Sequence, residues 1–148
     1  MNTLIELTNY LSRTEVLING RKKDIYKCNK LKGDDALVIW YNEVIEKSPD
    51  ELNISDVTRC IRQNLFTETA YEMLLVYLLN NPYAGDVYGG ELMDKAADID
   101  REYLLQHKKT VSEIIKNAGN FIETYEWEVE EDKSEYGESV ERLVQKIS

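Results

Sequence analysis

The chain is poor in the residues that carry most metal and nucleophile chemistry: 148 residues hold one histidine and two cysteines. His107, Cys28 and Cys60 cannot supply a four-ligand zinc site, and no Ser or Cys stands at a motif spacing that would make His107 the base of a nucleophile. Among Gln106, Lys108 and Lys109, His107 reads as an exposed helical residue. Two cysteines do not make a disulfide framework, and Cys60, on an apolar helical face, reads as a buried free thiol. Carboxylates are numerous, but no loop has the alternating ligands, central glycine and terminal Glu of a calcium hand. The expectation is a protein with no metal, no cofactor and no catalytic residues, not an enzyme.

Long apolar runs are also lacking. None approaches the roughly 18 residues of a membrane span, and no basic segment precedes an apolar signal core, so the expected location is the cytoplasm and no membrane contact is expected. Positive charge is the third shortage, with 18 Lys and Arg against 28 Asp and Glu and a net charge of -10. That balance argues against nucleic acid as a direct ligand, because phosphate binding is mostly supplied by Lys and Arg, and it suits a basic protein partner. The bases present crowd the first 32 residues as Arg13, Arg21, Lys22, Lys23, Lys27, Lys30 and Lys32. The acids are densest from Glu123 through Glu126, Glu128, Glu130, Glu131, Asp132, Glu135, Glu138 and Glu141, either a solvated helix face with a loop or a surface for a basic protein.

What the chain does have is apolar periodicity. With 43% hydrophobic residues it can bury a sizeable core, and 1–148 is expected to form one domain, a mainly α-helical bundle of about six to eight helices. Thr3 and Glu6 form a capping-box pair before Leu4, Leu7, Tyr10 and Leu11. Residues 16–28 read either as a small hairpin on Asn19-Gly20 or as a basic loop. From Asp34 a helix runs through Leu37, Trp40, Tyr41, Val44 and Ile45 to the stop at Ser48-Pro49; its aromatic residues read as core, since a base-stacking platform would need basic neighbours.

The stretch from Ser55 to Met93 organises the rest. Ser55 is read as the N-cap of a helix carrying Val57, Cys60 and Ile61, and Thr67 as the cap of the next, which carries Ala70, Tyr71, Leu74, Leu75 and Leu78 until Asn80-Asn81-Pro82 stops it. Residues 84–90 read as an irregular glycine loop, in which Asp86 accepts backbone N–H groups and Tyr88 packs on the preceding helix. Negative charge from Asp86 and Glu91 argues against a phosphate cradle there. Arg62 and Gln63 read as a polar pair tying helix to loop. Asp98 or Asp100 caps a region of one or two helices that Gly119-Asn120 ends. Residues 121–131 fit either strand alternation or helix, with glutamate favouring helix, and a polar loop over 132–137 leads to a last helix with Val140, Leu143, Val144 and Ile147.

The pattern Asp56, Ile61-Arg62-Gln63, Leu78, Asn81-Pro82, Gly85-Asp86-Val87-Tyr88, Gly90-Glu91-Leu92 resembles the immunity proteins of bacterial contact-dependent growth inhibition (CDI) systems, which protect a cell from its own kind's toxin. The likeness runs from about Leu52 to about Ile115. It departs where the family usually has Asp-Leu-Leu after the glycine and this chain has Glu91-Leu92-Met93. The resemblance implies a protein that binds and neutralises the C-terminal toxin domain of a CDI effector. A basic nuclease such as a tRNA-cleaving RNase is the expected target, and acidity would suit its cleft.

The expected toxin contacts are Glu126, Glu128, Glu130, Glu131, Asp132 and Glu135, with Tyr125, Trp127 and Tyr136 as anchors. Arg62, Gln63, Asn81, Pro82, Asp86, Tyr88, Gly90 and Glu91 are expected to be structural. Two other readings compete: an acidic nucleic-acid mimic or adaptor for another basic protein, and a metal-dependent hydrolase using Asp86 with Glu91.

Overall fold

A computed structural model describes residues 30–148 and, by backbone course, residues 12–18 and 21–27. The helix expected over Thr3 to Leu11, the Asn19-Gly20 turn and Cys28 lie outside the described residues. The chain is mainly α-helical, with seven α-helices among the described residues, and divides into two compact units, Met1–Met73 and Leu74–Ser148. No helix among the described residues is long and apolar enough to cross a membrane.

In the first unit, β1 (Ser12–Ile18) and β2 (Arg21–Lys27) pair antiparallel, with Ile18 opposite Arg21 and Ser12 opposite Lys27. Of the two readings open for residues 16–28, the hairpin is the one that forms, and it begins ahead of the expected span. Thr14, Val16, Ile18, Ile25 and Tyr26 give these segments the branched and aromatic composition that strands favour. α1 (Ala36–Val44) starts two residues after Asp34, because Asp35 is the cap: its Oδ1 accepts from Val38 N at 3.0 Å.

A single 3-10 turn, Pro49–Glu51, leads to α2 (Ile54–Gln63). Here the cap is Asn53 and not Ser55. Asn53 and Asp56 satisfy two orphan donors reciprocally, Asp56 N donating to Asn53 Oδ1 (2.8 Å) and Asn53 N to Asp56 Oδ2 (3.2 Å). Ser55 falls inside the first turn, where its carbonyl accepts from Thr58 Oγ1. Asp56 is buried, and its carboxylate also accepts from Trp40 Nε1 (3.1 Å) and Lys47 Nζ (2.7 Å), joining α1, the segment after it and α2.

Arg59 lies over the Trp40 ring, 4.8 Å from its centroid. Cys60 is fully buried, and burial first, then the Asp56 charge, pushes its thiol up to about 12. Asn64 ends α2 in the left-handed region (φ 55°), a conformation that Asn tolerates. α3 (Thr67–Asn80) follows, and the division between the units falls inside it.

The second unit is centred on its last helix. α4 (Glu91–Ala97), α5 (Arg101–Gln106) and α6 (Lys108–Phe121) all pack on α7 (Glu130–Ile147). Asp100 caps α5, its Oδ2 accepting from Tyr103 N (3.0 Å), and the region read as one or two helices forms two, α5 and α6, divided at His107. α6 continues through Gly119-Asn120 to Phe121. Glycine lowers helix propensity without ending a helix whose other face is anchored by Val111, Ile114 and Ala118.

Residues 122–129 are neither helix nor strand, but a turn followed by an irregular loop. The loop expected over 132–137 is helical instead. Tyr136, Ser139, Leu143 and Ile147 bury one face at helical spacing, and Glu130, Glu131 and Asp132 occupy the first turn, where the helix dipole favours acids. Val144, read as apolar face, is exposed. The far end of α7 is fixed by Lys146 Nζ, which donates to the carbonyls of Ala97 and Ile99 and so satisfies the end of α4.

Candidate functional site

The loop between α6 and α7 stands on a cluster of four aromatic rings. Tyr83 stacks on Tyr125 (centroids 4.4 Å apart, planes inclined 16°) and on Tyr136 (5.1 Å), and Trp127 meets the edges of Tyr83 and Tyr125 at 5.8 and 4.6 Å. The polar ends are satisfied: Tyr83 Oη donates to Ala118 O (2.7 Å), Tyr136 Oη to Pro82 O (2.7 Å) and Trp127 Nε1 to Ile122 O (3.1 Å). Burial pushes the Tyr83 and Tyr136 phenols above the usual tyrosine range, so both stay neutral donors. Thr124 N and Tyr125 N both donate to Phe121 O, which closes the turn. The loop is therefore fixed from inside, while Glu126, Glu128 and Val129 are left exposed.

The second wall of the cluster is the glycine loop that follows α3. Asn81 Oδ1 accepts from Tyr83 N (2.9 Å), turning the chain at the Asn-Pro stop, and Gly90 N donates to Tyr83 O (2.8 Å). A Cβ on Gly89 would run into Tyr125 Oη, and one on Gly90, whose φ is +87°, would meet the Tyr136 ring at 2.7 Å. The acceptor inside this loop is Glu91 and not Asp86. Glu91 is buried and its Oε1 accepts from Asp86 N (2.8 Å) and Val87 N (3.2 Å), while Asp86 is exposed.

Tyr88 Oη donates to Asp94 Oδ2 (2.8 Å) on α4, whose Oδ1 accepts from Ser139 of α7 (2.7 Å). Burial, and then the hydrogen bond to Asp94, raises the Tyr88 phenol well above its usual range. Glu91 is thus engaged inside the loop by backbone N–H groups, and the Asp86 side chain is exposed. No group of three or more His, Cys, Asp and Glu that could hold a metal occurs among the described residues.

Of the nine expected contacts, Glu126, Glu128, Glu130, Glu131 and Glu135 are exposed and Asp132 is half-buried. They lie together, on the loop and on the first turns of α7. Lys133, the base among them, is taken up by Glu123 (2.8 Å). Tyr125 and Trp127 are half-buried beneath the loop, and Tyr136 is fully buried, so Tyr136 is a support and not a surface anchor.

The exposed apolar side chains at this place are instead Phe121 (59% exposed) and Val129 (49%), one at each end of the loop. In the sequence both fit the apolar face of a helix or a strand, so periodicity hides their exposure. Arg62, exposed, and Gln63, half-buried, lie at the end of α2 in the first unit. His107 is half-buried between α5 and α6, its ring against Tyr103 at 4.5 Å.

A family model described as CDI immunity proteins matches residues 24–114, more than half of the chain. The match includes the Asn-Pro stop, the glycine loop and Glu91, and ends before the acidic loop. No curated protein matches the chain, and no solved structure does.

Proposed function

The chain belongs to the CDI immunity proteins and so serves immunity against a CDI toxin; we propose that it does this without turnover, by covering a basic surface of the cognate toxin domain with its acidic α6–α7 loop. The observation that carries this reading is the joint exposure of Glu126, Glu128, Glu130, Glu131 and Glu135 on a loop and helix end held rigid by Tyr83, Tyr125, Trp127 and Tyr136. A loop ordered before encounter loses little conformational entropy on binding, and its field speeds approach to a basic partner. Phe121 and Val129 supply the apolar part of the contact, inside a rim of carboxylates, in an interface of about 1,600 Å².

A basic cleft is what a nuclease needs to hold its phosphates, so a nuclease domain is the toxin class this surface fits best. Carboxylates at the spacing of a loop can stand where the substrate's phosphates would lie. The test is co-purification with the C-terminal domain encoded by the gene directly upstream, followed by assay of that domain alone and in complex. Stable binding with loss of nuclease activity supports the reading. A complex that retains full activity, or no complex, contradicts it.

A further inference from the structure

Val87 is the most exposed large apolar side chain among the described residues, at 78%. It is not on a loose loop: its N–H and that of Asp86 are both bound by the buried Glu91 carboxylate, and a Cβ on Gly85 would collide with the Tyr88 carbonyl. Gly89, two residues further on, lies directly under Tyr125, the ring that carries the acidic loop. Two residues of extended chain span at most about 7 Å, so the Val87 backbone lies within that distance of the glycine that touches Tyr125. Exposed Asp86 next to it continues the carboxylate rim.

We infer that Val87 is an apolar anchor of the toxin-binding surface, presented by Glu91 to an apolar pocket on the basic face of the toxin domain. This inference rests on the reading of the acidic loop as the binding site. Its chemistry is that of an interface core: a stiff, β-branched side chain with restricted χ1 on a fixed backbone, bordered by charge. Little ordering remains to oppose its burial. Glu91 acts through Val87 as a positioning residue, and its negative charge is used up inside the loop instead of facing the partner.

The experiment titrates the upstream-encoded toxin domain against the wild type, Val87→Ser and the quadruple variant with Glu126, Glu128, Glu130 and Glu131 changed to Gln, with melting curves of each. Val87→Ser should melt like the wild type, bind at least about tenfold more weakly through faster dissociation, and keep the wild-type salt dependence. The quadruple variant should instead lose association rate and salt dependence. If Val87→Ser binds within about twofold of the wild type while the quadruple variant is weakened, the anchor is overturned and the acidic surface stands. If only Val87→Ser is weakened, the acidic reading fails and with it the placing of Val87 against a basic face, which overturns the anchor as proposed; if neither is weakened, both fall.

Discussion

Gly89 and Tyr125 touch so closely that no side chain fits between them: a Cβ on Gly89 would overlap the Tyr125 hydroxyl. This contact joins the glycine loop, inside the family match, to the acidic loop beyond it. Gly89→Ala should lower stability by about 1–3 kcal/mol, the usual cost of overpacking. Tyr125→Phe removes the obstructing oxygen, so the double variant should recover part of the loss, a non-additivity of at least about 0.5 kcal/mol in thermal or urea melts. Strict additivity would mean that the two loops are not in contact.

Asp56 should dominate the acid sensitivity of the first unit. Desolvation, its largest influence, pushes the carboxyl up, but hydrogen bonds from Lys47, Asn53 and Trp40 together hold it below the usual Asp value. A lowered folded value means stability that is present above the unfolded value of about 4 and lost as pH falls through the folded one. The hydrogen bond to Asp56 raises Lys47, so that contribution is present below the unfolded value of about 10.4 and lost as pH rises past the folded one. Asp56→Ala leaves the buried Trp40 Nε1 without its acceptor and should cost about 2–4 kcal/mol. Melting temperature against pH should show a shallower acid limb in Asp56→Asn than in the wild type.

Cys60, buried and with its thiol pushed up to about 12, should not react with thiol reagents in the folded protein near pH 8. In a Cys28→Ser background, labelling should appear only with unfolding, at the denaturant midpoint seen by circular dichroism. Fast labelling of the native protein would contradict the burial of this helix face.

Arg62→Ala should leave melting unchanged within about 0.5 kcal/mol, because the side chain is exposed at the end of α2. A clear loss of stability would show that this side chain ties elements together, as its place beside Ile61 in the sequence suggests.

The sequence conveyed the helices well where burial follows one period. Val57 and Cys60, and later Leu143 and Ile147, are buried as their spacing indicates. Caps were less legible, because Asn53 and Ser55 are both good N-cap residues, and the choice depends on Asp56 lying three positions after Asn53. Residues 122–129 satisfy both helical and strand spacing and form neither. Their conformation is set by tertiary contacts, Tyr125 and Trp127 on Tyr83, that no local pattern encodes.

The site shows the same division. The cluster of glutamates was legible as charge, whereas the burial of Tyr136 and the exposure of Phe121, Val129 and Val87 depend on which neighbours the fold brings to them. Glu91 and Asp86 exchanged roles for a similar reason. Only the carboxylate that points into the loop can reach its N–H groups, and that direction is set by α4.

The central claim, that the acidic α6–α7 loop is what meets the toxin, is tested most directly by titrating the upstream-encoded toxin domain into the wild type and the quadruple Glu126, Glu128, Glu130 and Glu131 to Gln variant at about 0.05 and about 0.5 M salt. Wild-type affinity should fall steeply with salt, and the variant should bind more weakly with a much flatter dependence while remaining folded, its melting lowered only by the loss of two first-turn acids of α7. Equal affinity and equal salt dependence for the two proteins would contradict it and place the toxin on another surface.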